Sequence, residues 1–111
     1  MNLSSRMDGD TQIVTVHEDR IDAVVAIRFK DRMREETSGT KGRVVLDLAQ
    51  VDFVDSSGLG AIVAAMKQLG AERQLDLSSL TENVDKVFQL TRMNTIFNIH
   101  ESLDTALECT A

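Results

Sequence analysis

Cysteine, proline, tryptophan and tyrosine are rare or missing in this chain. It has one cysteine, no proline, no tryptophan and no tyrosine, and its large aromatic residues are four phenylalanines. The single thiol, Cys109, has no second cysteine with which to form an internal disulfide, and one thiol is too few for a zinc cluster. The lack of proline excludes collagen-like and proline-rich chains. Nothing in this composition indicates an oxidising compartment, so we expect a cytoplasmic protein.

The charge and the hydropathy pattern exclude two further classes. The net charge is −6, from 12 basic and 18 acidic residues, and the chain lacks the basic stripe and the aromatic stacking residues of a nucleic-acid binder. Its longest strongly apolar stretch, residues 58–65, is far shorter than the roughly 20 residues of a membrane helix. The first ten residues lack the pattern of a signal peptide. We therefore expect neither a nucleic-acid partner nor a membrane partner.

The length indicates one domain that spans residues 1–111. A chain of 111 residues with 42% hydrophobic residues builds one core, and it is too short for a two-domain enzyme with a separate cofactor domain. No low-complexity tract or block of like charge indicates a linker.

Hydrophobic periodicity predicts alternating strands and helices. The predicted strands are a weak one within residues 1–8, then Thr11–Val16, Arg43–Leu48, an extended segment at residues 51–55, a short strand at residues 75–77, and Ile96–Ile99. The predicted helices run from Asp22 to before Ser38, from Ser57 to about Leu69, through Val84 and Phe88 after a capping box at Ser79 and Glu82, and from Ser102 over Leu103, Ala106 and Leu107. This order predicts an α/β sandwich with a mixed sheet of four to five strands and about four helices.

Residues that could carry catalysis are sparse. Ser56 lies beside Asp55, but a serine hydrolase needs a general base and a group that orients that base, and adjacency in sequence does not create this geometry. The G-x-S-x-G pattern of hydrolases is also absent. His17 and His100 are far apart and lack the spacing of metal ligands. The glycine-containing loop at residues 38–42 lacks the spacing of a phosphate-binding loop and precedes a strand. We therefore expect a protein that is not an enzyme and that holds no cofactor and no metal.

The segment Asp-Ser-Ser-Gly-Leu-Gly at residues 55–60 is the most informative part of the chain. A local interpretation is that Ser56 or Ser57 caps a helix and that Gly58 and Gly60 allow close packing of its first turns. However, each helical glycine costs about 0.5–1 kcal/mol relative to alanine, which favours a backbone kept accessible to a binding partner. A phosphate on a serine here would add close to two negative charges beside Asp55.

Residues 51–60 resemble the phosphorylation motif of the STAS domain family, in which a strand ends in Asp-Ser/Thr-Ser/Thr-Gly-Leu/Ile-Gly at the start of the second helix. Two shorter segments are also similar to the family. Ile21 and Asp22 match the end of its Gly-Glu-Ile/Leu-Asp turn, and Leu90, Thr91 and Met93 follow its Leu-Thr/Ser-Gly-Leu/Met segment. The likeness covers most of the chain and is to the small free-standing anti-sigma factor antagonists of bacterial partner-switching systems.

The resemblance implies a regulatory switch. In such systems the unphosphorylated antagonist binds a kinase-type anti-sigma factor and releases its sigma factor, and the same partner uses the ATP that it binds to phosphorylate the first hydroxyl residue of the motif. On this chain the implied phosphate acceptor is Ser56, and a separate serine phosphatase would restore the binding form. The implied partner-binding residues are Asp22, Asp55, Ser57, Gly58, Leu59 and Gly60.

Two departures from the family pattern bear on this expectation. Asp19 and Arg20 replace a glycine and a glutamate, which reverses a charge near the implied docking surface. Arg92 stands where the family has glycine, and a left-handed residue there would cost about 1 kcal/mol unless Asn94 adopts that conformation.

Two other functions stay open. One is a STAS adaptor subunit of a lipid transporter or signalling complex without a phosphoswitch. The other is a switch whose released target is a secretion regulator or another signalling enzyme.

Overall fold

Five strands in a mixed sheet, a two-stranded ribbon and four helices make up the fold in a computed structural model that describes residues 1–108. Cys109, for which we expect no disulfide, lies outside the described residues. The strands are β1 (Leu3–Asp8), β2 (Thr11–Val16), β3 (Arg20–Ile21), β4 (Val44–Asp47), β5 (Phe53–Val54), β6 (Leu75–Ser78) and β7 (Asn98–His100). The helices are α1 (Ala26–Thr37), α2 (Ser56–Leu69), α3 (Glu82–Leu90) and α4 (Leu103–Glu108). The predicted α/β fold is confirmed.

The sheet has the strand order β1-β2-β4-β6-β7, and β3 and β5 form the separate ribbon. Strands β1 and β2 pair antiparallel through a turn at Gly9, whose φ of +60° is a conformation that glycine adopts without steric cost. The other neighbouring strands of the sheet pair parallel. Because parallel strands run in one direction, the segments that follow β2 and β4 leave the sheet at the same edge. The ribbon lies in these segments and pairs Arg20 with Phe53.

Helix α1 buries the apolar stripe that its periodicity predicts, and α2 buries Leu59 and Ile62 of its predicted stripe while Val63 and Met66 are half-buried. Together with the inward residues of the strands, these stripes form one continuous core. The buried residues of the two helices are Ala26, Phe29, Met33 and Thr37 in α1, and Gly58, Leu59, Ala61, Ile62 and Ala65 in α2.

The start of α1 differs from the prediction. The helix begins at Ala26 and not at Asp22, because residues 22–25 form a turn closed by a hydrogen bond from the Val25 amide to the Asp22 carbonyl (3.1 Å). The Asp22 carboxylate reinforces the turn, since its Oδ1 accepts a hydrogen bond from the Val24 amide (3.1 Å). An aspartate that bonds to the backbone two residues ahead favours a turn over a helix.

The predicted capping box of α3 is wrong. Thr81 is the N-cap, and its hydroxyl accepts a hydrogen bond from the Val84 amide (3.4 Å) and donates one to the Val51 carbonyl (2.9 Å). Ser79 instead adopts a φ of +62° two residues before the cap, so its side chain is too early in the chain to cap the helix. Glu82 is the first helical residue.

The left-handed residue after α3 is Arg92, not Asn94. Arg92 has a φ of +60°, and its amide donates to the Gln89 carbonyl (3.1 Å) as the helix ends. A side chain in this conformation costs about 1 kcal/mol that glycine avoids.

Arg92→Gly is expected to raise the free energy of unfolding by about 1 kcal/mol, because glycine removes the steric cost of the left-handed conformation. Urea unfolding measures the change. Asn94→Gly is the matched control, and it should give no gain because Asn94 does not have a positive φ. Equal stabilisation by the two variants would contradict the assignment of the strain to Arg92.

The last strand is displaced along the chain from its predicted position. It spans Asn98–His100 and not Ile96–Ile99, because Met93–Thr95 form a 3-10 turn and the amides of Ile96 and Phe97 both donate to the Met93 carbonyl. These bonds hold Ile96 and Phe97 out of the sheet.

Helix α4 is capped as predicted. The Ser102 hydroxyl accepts a hydrogen bond from the Thr105 amide (3.1 Å). Of the three residues expected to be buried, Ala106 is fully buried, whereas Leu103 and Leu107 are half-buried. None of the helices within residues 1–108 has the length and apolar character that crossing a membrane requires.

Candidate functional site

Asp55 joins the start of α2 to the turn before α1. Its backbone is extended, and its Oδ1 accepts a hydrogen bond from the Gly58 amide (2.8 Å), which makes it the N-cap of α2. Its Oδ2 accepts a second hydrogen bond, from the Ala23 amide (3.1 Å). The local interpretation that Ser56 or Ser57 caps this helix is therefore wrong. One carboxylate holds the motif and the 22–25 turn in a fixed relation.

Because Asp55 supplies the cap, the Ser56 hydroxyl is not used to start the helix. Ser56 is the first residue of α2, and both Ser56 and Ser57 are exposed. The first turn of a helix presents free backbone N–H groups and the positive end of the helix dipole, so an added anion is tolerated here. The domain could therefore carry an anionic group on Ser56 and stay folded.

The two glycines of the motif have different environments. Gly58 is buried, and a Cβ built on it would overlap the carbonyl oxygen of Ile21. Gly60 is exposed, and a Cβ built on it would meet no atom within 4 Å. The expectation that both glycines keep backbone accessible is therefore wrong for Gly58, which allows α2 to pack directly against β3.

The implied partner-binding residues divide by exposure. Ser57 and Gly60 are on the surface, whereas Gly58 and Leu59 are buried and Asp22 and Asp55 are half-buried in the backbone contacts described above. Ser57 and Gly60 are therefore the most accessible of the six, and Gly58 and Leu59 pack inside the domain.

Sequence reasoning missed three exposed apolar residues on the segments that flank Ser56. Val24 is 82% exposed, Ile27 is 68% exposed and Phe53 is 44% exposed. Val24 lies in the turn that Asp55 holds, and Phe53 lies on β5, three residues before Ser56. Ile27 had a sequence signal, because it falls off the helical stripe that Ala26 and the buried residues of α1 define.

Arg20 lies over Phe53 at the edge of this surface. Its guanidinium carbon is 4.9 Å from the centre of the Phe53 ring, a cation–π contact, and its Nε is 3.5 Å from the Asp22 carboxylate. The Arg20 side chain is 57% exposed. We call Arg20, Val24, Ile27 and Phe53 the docking patch.

A buried ionic cluster, also missed from sequence, joins Arg43, just before β4, to Asp76 on β6 and His100 on β7. Asp76 is 1% exposed, and its Oδ2 accepts hydrogen bonds from Arg43 Nη2 (2.5 Å) and Nε (3.0 Å) and lies 3.0 Å from His100 Nε2. Gln74 donates to the other oxygen (2.7 Å). Arg43 continues to α4 by donating to the Ala106 carbonyl (2.8 Å).

The cluster lowers the pKa of Asp76. Burial by itself raises that pKa, but the hydrogen bonds from Gln74, Arg43 and His100, with the charge of Arg43, outweigh burial.

The two histidines that the sequence separates also stay apart. His17 accepts a hydrogen bond from the Gln50 side chain (3.1 Å) and contacts the Ser4 hydroxyl (2.7 Å). Residues 1–108 contain no group of three or more His, Cys, Asp or Glu side chains able to hold a metal ion.

The model of the STAS domain family matches residues 3–106. The chain belongs to the STAS family. Among curated STAS proteins, the anti-sigma-B factor antagonist of Listeria monocytogenes is 32% identical over 104 residues, which cover 89% of this chain and 90% of that protein.

Two solved structures share the STAS fold. An anti-sigma factor antagonist from Mycobacterium paratuberculosis superposes with a TM-score of 0.86 at 23% identity, covering 96% of this STAS domain and 91% of that chain. The Bacillus cell fate determinant SpoIIAA in its phosphorylated form superposes with a TM-score of 0.65 at 17% identity, covering 96% and 97% of the two chains.

Proposed function

We propose that this STAS domain is an anti-sigma factor antagonist that is switched off by phosphorylation of Ser56. The observation that carries the proposal is the free, exposed Ser56 hydroxyl at the start of α2, held beside the docking patch by the Asp55 contacts. The name of the Listeria relative supports the antagonist function, and the phosphorylated Bacillus protein has the same fold.

The unphosphorylated form would bind a kinase-type anti-sigma factor and release its sigma factor. That partner would bind the ATP and transfer the phosphate, and this chain would supply the acceptor serine. A serine phosphatase would remove the phosphate and restore the binding form. We also propose that the surface that binds this partner is formed by Asp22, Asp55, Ser57, Gly58, Leu59 and Gly60.

The phosphate would act on binding and not on folding. At the start of α2 a dianion is stabilised by the helix dipole and by free N–H groups, and it remains in water while the protein is unbound. In a closed interface the same dianion loses its water next to the Asp55 carboxylate, and like charges brought together in an interface cost several kcal/mol. We therefore expect a loss of affinity without unfolding.

Incubation with ATP and the purified kinase-type anti-sigma factor of the same genome tests the proposal. We expect one phosphate on Ser56 by mass spectrometry, no transfer to Ser56→Ala, and a phosphate still on Ser56 in Ser57→Ala, which keeps the acceptor hydroxyl. In calorimetric titrations the phosphorylated protein should bind the kinase at least about 30-fold more weakly than the unmodified protein. Its melting temperature should change little.

Three results would overturn the proposal. They are transfer to Ser56→Ala at the rate of the wild type, equal affinity of the modified and unmodified proteins, and unfolding on phosphorylation. Capture of membrane transporter subunits by Ser56→Ala from cells, with no kinase-like protein, would also overturn it and favour the adaptor function.

A further inference from the structure

We infer that Arg20 selects the partner by pairing with an acidic side chain that the partner presents opposite the contact between Arg20 and Phe53. The inference rests on the proposed function, since it names the chemistry of the anti-sigma factor surface that would cover the patch. Its basis is one cation over an exposed aromatic ring on the ribbon, together with exposed aliphatic side chains on the turn and helix that the Asp55 contact joins to the motif.

The distribution of exposed apolar side chains locates the surface. Six large hydrophobic residues are exposed in the described chain, and three of them, Val24, Ile27 and Phe53, lie in the turn, helix and ribbon that flank Ser56. Single exposed apolar residues need no explanation, whereas several on adjoining segments indicate a site of association. The Asp55 bond to the Ala23 amide fixes these segments relative to each other.

Arg20 is already held in a defined position before any partner binds. Its guanidinium rests over the Phe53 ring, and its Nε faces Asp22 at 3.5 Å. Because arginine carries its donors in a planar fork, fixing Nε leaves the two terminal nitrogens to meet a carboxylate side-on. Aromatic and arginine side chains dominate the energetic centres of protein interfaces, and a side chain that is ordered in advance loses less entropy on binding.

A partner that buries Arg20 must carry a negative charge where it covers the guanidinium. A partner that covered the docking patch with apolar groups alone would remove water from the guanidinium without replacing its hydrogen bonds, which is unfavourable. Asp22 does not remove this requirement, because its Oδ1 is bonded to the Val24 amide and its Oδ2 faces only Nε. The partner that fits is an apolar surface with a carboxylate opposite Arg20.

Three substitutions at Arg20 and one remote control test the inference. We expect Arg20→Glu to weaken binding of the purified kinase-type anti-sigma factor about 30-fold or more, as at an interface hot spot. Arg20→Met keeps apolar contact with Phe53 but removes the charge, and it should weaken binding about tenfold. Arg20→Lys should fall between Met and wild type. Arg6→Glu makes the same charge change on the exposed strand β1 and should bind as the wild type does.

The readouts separate selection from a structural role. Thermal unfolding of the four variants should match the wild type within a few degrees, because Arg20 is exposed and its ion pair is on the surface. If Arg20→Met binds as tightly as the wild type or more tightly, the partner does not present a carboxylate to Arg20. If Arg20→Glu binds within threefold of the wild type, Arg20 has no role in selecting the partner. Self-association of the free protein that Arg20→Glu abolishes would assign the patch to a second copy and also overturn the inference.

Failure of the proposed function gives a different pattern. If the wild type neither binds the kinase nor accepts phosphate on Ser56, the function and the inference both fall. If the wild type binds and is phosphorylated while the Arg20 variants behave like Arg6→Glu, the inference alone falls.

Discussion

Replacing Asp76 by alanine is expected to lower the free energy of unfolding by about 3–5 kcal/mol, because removal of one partner from a buried ion pair leaves the other charge uncompensated. The stranded charge is Arg43, whose side chain is only 15% exposed and which donates twice to Asp76 Oδ2. Arg43 also holds the last described turn of α4 through the Ala106 carbonyl. Urea unfolding at neutral pH measures the loss.

Two further variants show whether the loss comes from the stranded charge. The double replacement of Arg43→Met with Asp76→Leu should recover much of the stability, since apolar pairs often substitute for buried ion pairs at little cost. Asp47→Ala on β4 removes a half-buried carboxylate that, within residues 1–108, accepts one hydrogen bond, from the Ala49 amide, and it should cost about 1 kcal/mol. A loss below about 1 kcal/mol for Asp76→Ala would show that the cluster contributes little to the fold.

The same carboxylate makes stability depend on pH. The pKa of Asp76 is lowered in the folded protein, so its contribution to stability is fully present above the pKa of an unfolded aspartate, about 4, and is lost as the pH falls through the folded pKa. Asp76→Asn should therefore flatten the fall in unfolding free energy below about pH 4. Urea titrations between neutral and acid pH check this, and parallel curves for the two proteins would contradict it.

Helix and strand periodicity predicted most of this fold because the buried stripes are long. The run of β-branched residues in β2 and the apolar repeat in α2 each have one burial pattern that fits them. The caps were harder to predict, since several residues in a row can serve. Asp55 caps α2 in place of Ser56, and it also bonds to the Ala23 amide. Thr81 caps α3 in place of Ser79, and it also bonds to the Val51 carbonyl. No local sequence pattern contains these tertiary contacts.

The candidate site divides in the same way. The motif that contains Ser56 could be predicted because it is contiguous in sequence. The Asp76 cluster could not, because it joins Arg43, just before β4, to residues on β6 and β7 that lie far apart along the chain. The exposure of Val24 is equally a tertiary property, because it depends on the turn that Asp22 and Asp55 stabilise. The charge of Arg20 is a departure that the sequence itself shows, but its position over Phe53 requires the pairing of β3 with β5.

Replacing Gly58 by alanine is expected to lower the free energy of unfolding by about 3 kcal/mol, at the upper end of the cost of overpacking. The added Cβ would overlap the Ile21 carbonyl, and a backbone oxygen within the ribbon cannot rotate away as a flexible side chain does. To make room, α2 must move away from β3, which strains the bond between Asp55 and the Ala23 amide. Urea unfolding measures the loss, and faster hydrogen exchange at the Ala23 amide would report the movement.

Gly60→Ala is the matched control, since it makes the same chemical change two residues later in the same helix. No atom lies within 4 Å of the new methyl group, so alanine should stabilise the helix by about 0.5–1 kcal/mol. Opposite signs for the two variants would establish that Gly58 is required for close approach and not for flexibility. If Gly58→Ala is as stable as Gly60→Ala, the ribbon yields freely, and the relation between Ser56 and the docking patch is not set by this contact.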